Sequence, residues 1–150
     1  MIKVHEILSS FFGIGFIKKG GGTVAAIATA LIWMVAVAVP DTWMVIGSVL
    51  VVIVYGIWAG NEVEKKWGKD SSKVVIDEVA GMLVALLFIP VSFVNVLLAL
   101  GLFRFFDILK PLLIRRLEQM PGGWGVMGDD VLAGIYSNII LHLFLLLHLW

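Results

Sequence analysis

Long apolar runs alternate with short polar segments along the whole chain. Residues 23–39, 43–60, 74–90, 93–106 and 131–150 are dominated by Ala, Val, Ile, Leu, Phe and Gly. The first run has 17 residues without a charge, the short end of what a helix needs to cross a bilayer. The second has Trp43 and Trp58 near its ends, where indole rings anchor at membrane interfaces. The third opens on Asp77 and Glu78, and the fourth runs down to Arg104 and Asp107. The pattern predicts a single domain over residues 1–150. Its fold class is all-α, an integral membrane helical bundle of about five transmembrane helices plus short interfacial helices.

The polar segments predict the connections. In residues 3–17 the positions Ile7, Leu8, Phe11 and Phe12 share one helical face, suggesting a short interfacial helix. Residues 13–23 (GIGFIKKGGGT) form a glycine-rich loop. Such a loop ahead of a helix either aims backbone N–H groups at a phosphate or acts as a hinge. Its Lys18, Lys19 and Thr23 are candidate phosphate-binding residues. Tight turns are expected at 40–42 (PDT) and 90–92 (PVS). The segment 61–72 (NEVEKKWGKDSS) reads as a connector with a short helix ending at Gly68. In 111–120 (PLLIRRLEQM) Pro111 suits the first turn of a new amphipathic helix, which the following Pro-Gly-Gly ends. Asp129 or Asp130 would then cap the last helix.

Composition sharpens this. The chain is 61% hydrophobic with mean hydropathy +1.05, against roughly 45–50% apolar residues in soluble domains. The formal net charge of +0 provides no field for nucleic acid. The lack of cysteine excludes disulfides, thiolate catalysis and thiolate metal sites. His5 and Glu6 lie within the N-terminal stretch, which does not read as a signal peptide. On the five-span reading all 11 Lys and Arg fall on one side, placing the N-terminus in the cytoplasm and the C-terminus outside. Every acid except Asp41 falls on that same side. Acids do not follow the positive-inside rule, so their one-sidedness points to a site at the cytoplasmic face.

Carboxylates that open an apolar span are functional candidates, the alternative being helix N-termini favoured by the dipole. Asp77, Glu78, Asp107, Asp129 and Asp130 are the candidate catalytic acids. Magnesium, which takes carboxylates, waters and substrate phosphate, suits such a set better than zinc. Asp77, Glu78, Asp129 and Asp130 are its candidate ligands, with Asp107 a ligand or the partner of one. Arg104, Asp107 and Lys110 follow a spacing that puts them on one helical face. Arg104 and Lys110 are candidate phosphate clamps. Arg115 and Arg116 read equally well as clamps or as residues reaching anionic headgroups. His5, His142 and His148 are scattered and read as packing or interfacial residues, and Asn138 and Tyr136 as interhelical hydrogen-bonding groups. A small transporter or channel subunit is the rival reading, but it expects charge through bilayer depth on several spans.

Three motifs in this order, DEVAGM (77–82), FRFFDILKP (103–111) and GGWGVMGDDVLAG (122–134), resemble the phosphatidylglycerophosphatase A family. The resemblance covers most of the chain. It implies a magnesium-dependent phosphatase of the bacterial inner membrane that converts phosphatidylglycerophosphate to phosphatidylglycerol. The glycine-rich segment departs from the family pattern. Gly13, Gly15, Gly22 and Thr23 remain, Gly21 replaces a proline, Ala25 and Ala26 replace a Gly-Ser pair, and Leu113 stands where a second proline is usual.

Overall fold

The computed structural model describes residues 2–36, 42–69 and 71–147. Residues 40 and 41 of the turn expected at 40–42, Asp70, His148 and the chain's last residue lie outside them. Among the described residues all regular structure is helical. The helices are α1 (Ile2–Ser9), α2 (Gly21–Ala36), α3 (Thr42–Trp67), α4 (Ile76–Leu86), α5 (Phe93–Leu109), α6 (Ile114–Glu118) and α7 (Gly123–Leu146). Two of them, α3 and α7, are long and apolar enough to cross a membrane.

The short helix α4 organises the rest. It packs against α7 above all, and also against α2, α3 and α5. Its 11 residues rise roughly 16 Å, about half the thickness of a bilayer core. The run 74–90 is therefore helical over a shorter stretch than its hydropathy predicts. Met82, Ala85 and Leu86 of α4 are fully buried, in one core with Ala26, Ala30, Phe103, Ala133 and Leu141.

Small residues let α4 and α7 approach closely. A Cβ on Gly81 would run into the Phe103 ring and the backbone oxygen of Asp130, and one on Gly134 would overlap the Gly81 carbonyl. Small residues at a helix crossing allow such close backbone contact. Each glycine sits a turn or so past an acid pair, Asp77-Glu78 on α4 and Asp129-Asp130 on α7. The crossing therefore brings the two pairs together.

The far end of α4 is closed by α7. Asn138 Nδ2 donates to the carbonyls of Ala85 (3.1 Å) and Leu87 (2.7 Å), which a helix ending there leaves without intrahelical donors. The interhelical role read for Asn138 is thus borne out. Asn138→Leu is expected to lower stability by about 1–2 kcal/mol. An unchanged thermal unfolding midpoint in detergent would remove this role.

Several boundaries differ from the sequence reading. The segment 61–72 is not a separate helix, because α3 runs through it to Trp67 and stops at Gly68. Its charged last turns, with Lys65 bonded to Glu62, continue an apolar helix without a break. The helix at the N-terminus ends at Ser9, and Phe11 and Phe12 adopt left-handed backbone angles. They therefore do not share a face with Ile7 and Leu8: Phe11 packs against Ala25, Val75 and Val79, while Phe12 is exposed. Pro111 opens a turn, and α6 begins three residues later. His5 is buried, with Nδ1 3.1 Å from the Tyr55 hydroxyl and its ring edge-on to Trp58, as expected of a packing residue.

Candidate active site

A cavity of about 280 Å³ opens where the first turns of α2 and α4, the end of α5, α6 and the first half of α7 meet. Asp77, Glu78, Arg104, Asp107, Lys110, Asp129 and Asp130 all line it. The acids come from three helices far apart in sequence, brought together by the α4–α7 crossing and by α5 beside it.

Within it is a trio of carboxylates. Asp77, Glu78 and Asp130 each offer an oxygen, and the three atoms lie within 4.8 Å of one another. Asp107 lies beside Asp130. Like charges this close repel unless protons or a cation intervene. Glu78 Oε2 is buried and has no hydrogen-bond partner among the described residues, which leaves its lone pairs open to a ligand. The Glu78 carboxylate rests on the first turn of α2, and a Cβ on Gly22 would overlap its Oε1. Gly22 makes room for an acid at a helix N-terminus, where the dipole favours negative charge.

Both acid pairs use their first member in the same local way. Asp77 Oδ1 accepts from the Glu78 N–H (3.1 Å), and Asp129 Oδ1 from the Asp130 N–H (3.0 Å). Capping of the last helix by Asp129 or Asp130 is corrected. The helix starts at Gly123, and its first N–H is held by Asn61 Oδ1 of α3 at 2.9 Å. The two aspartates sit in its second turn and beyond. Asn61 thus sets where α7 begins, a role the sequence reading missed.

The cations are fixed. Arg104 Nη1 donates to Asp107 Oδ2, the one-face pairing that their spacing predicted, and Arg104 Nε is buried without a partner. Lys110 Nζ donates to Asp129 Oδ2 (2.8 Å) and Glu118 Oε1 (2.7 Å). Burial alone would pull this ammonium's pKa down, but the bonds to Asp129 and Glu118 outweigh it and hold the pKa above the usual lysine value. Lys110 is therefore a permanent cation, held in a left-handed backbone conformation at the end of α5. Asp129 is engaged with Lys110, whereas Asp130 joins the carboxylate trio.

Other expected residues fall at the edge or outside. Lys18 lines the cavity; Lys19 and Thr23 do not. Arg115 and Arg116 are exposed on α6, away from it. Glu118, Lys69, Ser71 and Ser72 line it and were not anticipated. Only the acidic character of Glu118 beside the basic run offered a signal for any of them.

Among the described residues the fold is all-helical, and its site sets an acid cluster against fixed cations, an arrangement suited to phosphate-ester chemistry. A family model described as Phosphatidylglycerophosphatase A matches residues 7–145. A Bacteroides thetaiotaomicron protein provisionally named a phosphatidylinositol-3-phosphatase is 41% identical over 142 residues, covering 90% of this chain and 89% of that protein. The phosphatidylglycerophosphatase A of Haemophilus influenzae is 33% identical over 139 residues, covering 91% of this chain and 85% of its own length. That of Escherichia coli is 30% identical over 141 residues, covering 91% and 81%. No solved structure matches the chain. The chain belongs to the phosphatidylglycerophosphatase A family. It is accordingly an enzyme, a phosphoric monoester hydrolase.

Proposed function

We propose that the chain is a magnesium-dependent phosphatidylglycerophosphatase of a bacterial inner membrane. It removes the terminal phosphate of phosphatidylglycerophosphate at the cytoplasmic face and leaves phosphatidylglycerol. One observation carries the reading: Asp77, Glu78 and Asp130 converge within 4.8 Å in a pocket that also holds Arg104 and Lys110.

The residues present fit a magnesium ion. All the donors are carboxylate oxygens, the ligands a hard cation takes, and Glu78 Oε2 is buried with no partner among the described residues. Asp77, Glu78 and Asp130 would hold it, with Asp107 beside them; Asp129 is better placed to hold Lys110. When bound, the ion would neutralise the phosphomonoester and supply an activated water. Arg104, oriented by Asp107, and Lys110, oriented by Asp129 and Glu118, bind the phosphoryl oxygens and stabilise the charge they gain during transfer. Their partners keep both cations in place before substrate arrives, so little reorganisation is needed at the moment of reaction.

The outer faces support a bilayer setting. Ile27, Leu31 and Val35 of α2, Val51, Val54 and Trp58 of α3, and Ile135, Ile139, Leu143 and Leu146 of α7 are exposed in rows at helical spacing. Continuous apolar rows of this kind mark a lipid or protein contact. A five-pass arrangement then counts α4 as a short span enclosed by its neighbours, which is tolerated when the ends of such a helix are satisfied inside the protein. Asn138 does this for the carbonyls of Ala85 and Leu87. In that topology cysteines at positions 71 and 92 react with impermeant reagents from opposite sides. Labelling of both from one side would overturn it. A transporter reading gains nothing from the acids, which gather in one pocket rather than along a path.

The test is phosphate release by purified protein from phosphatidylglycerophosphate and, in parallel, from phosphatidylinositol 3-phosphate, the lipid implied by the Bacteroides relative's name. The reading expects the first to be preferred. Preference for the second would transfer the same site to an inositol headgroup. Hydrolysis of neither would remove the assignment.

A further inference from the structure

The pocket's lining divides into a buried floor and an exposed rim. Asp129 and Asp130 on the floor are buried, while Lys18, Lys69 and Ser72 on the rim are exposed and Ser71 is half-buried. Lys18 comes from the segment ahead of α2, and Lys69, Ser71 and Ser72 from the α3–α4 connector.

Nearby lysines are mostly occupied. Lys65 pairs with Glu62, Lys66 with Glu6 and Lys110 with Glu118 and Asp129. Lys73 lies over the Trp67 and Phe16 rings, 5.6 and 6.0 Å from their centroids. Among the described residues, Lys18 and Lys69 have no carboxylate partner; Lys19 has none either, but it lies outside the cavity. Lys18 and Lys69 thus line the mouth of a cavity that also holds Arg104 and Lys110, both half-buried and paired with acids.

The cavity's size and the connectivity of a lipid say what they meet. About 280 Å³ lies at the small end of ligand sites, enough for a headgroup and not for acyl chains. When a terminal phosphomonoester reaches the floor, the phosphodiester that joins the headgroup to the acylated glycerol has to lie nearer the mouth. That group carries one delocalised negative charge, which a lysine reads as a point charge and a hydroxyl by donation.

We propose that Lys18 and Lys69, with the hydroxyls of Ser71 and Ser72, form a phosphodiester subsite. It selects lipids that carry both a terminal monoester and a bridging diester over lipids with a single monoester phosphate. The inference rests on the lipid-phosphatase reading above and deepens it. Phosphatidylglycerophosphate and phosphatidylinositol 3-phosphate share the two-phosphate pattern, so the subsite favours both over phosphatidate.

The test compares kcat/KM for phosphatidylglycerophosphate and for phosphatidate of the same acyl chains in mixed micelles. The proteins are wild type, Lys18→Ala, Lys69→Ala, the double variant, and Lys18→Arg with Lys69→Arg. The ratio of the two constants should fall ~5-fold for each alanine and ~20-fold for the pair, the upper end for exposed charge pairs. The arginine variant should keep most of the ratio, and the loss should shrink as salt is raised. A second measurement uses phosphatidylglycerol, which has the diester and no monoester. Its inhibition of the wild type should weaken in the double alanine variant. An active wild type whose ratio and product inhibition do not respond overturns the subsite alone. A wild type inactive on every lipid overturns the phosphatase reading, and the subsite with it.

Discussion

Asp130→Asn is expected to leave a protein that extracts in detergent with normal yield and turns over ~10³-fold more slowly, or worse. Asparagine keeps the shape of the side chain and removes its charge. A bound metal's charge stabilisation is worth several kcal/mol, and a factor of 10³ corresponds to about 4 kcal/mol. Asp77→Asn and Glu78→Gln should behave alike, since all three acids belong to one cluster. Asp129→Asn should differ in kind. Its Oδ2 holds Lys110, so its loss frees a cation that Glu118 alone would then orient. Asp41→Asn, on the far side in the proposed topology, is the control and should be tolerated. Near-normal turnover in all of the pocket variants would mean that the acid cluster is not the active site.

Gly81→Val should prevent accumulation of folded protein. A side chain there meets the Phe103 ring and the Asp130 carbonyl, so both the core and the α4–α7 crossing have to open. Overpacking usually costs 1–3 kcal/mol, and a clash with backbone on two sides should exceed ~4 kcal/mol. Gly101→Ala is the matched control, because a Cβ at Gly101 meets nothing within 4 Å. It should be neutral or slightly stabilising, since alanine is the better helix former. Detergent-resistant yield of the two variants is the measurement, and equal yields would show that the close crossing is not required.

The two acid pairs were legible in the sequence because charge in an otherwise apolar chain is rare and the five-span reading put theirs on one side. Arg104 with Asp107 was legible from helical spacing. The first half of α7 was not. Its glycines at 122, 123, 125 and 128 read as a loop, because glycine weakens an isolated helix. In the fold, Gly123 and Gly125 lie where a side chain would strike the backbone carbonyls of Ile57 and Met120, so packing overrides propensity. That error placed Asp129 and Asp130 at a helix cap instead of inside the helix. Asn61, Glu118 and the connector residues Lys69, Ser71 and Ser72 were missed for a different reason. Each acts on a partner or a pocket built from distant elements, and no local pattern encodes such a meeting. The glycine-rich segment held both outcomes: Gly22 seats Glu78, while Lys19 and Thr23 lie away from the cavity.

The most direct measurement is inorganic phosphate released from phosphatidylglycerophosphate by the purified protein in detergent, with magnesium and after exhaustive chelation. The account predicts steady release with magnesium, none after chelation, and recovery when magnesium is returned. Undiminished release after chelation, or no release under any condition, would contradict it.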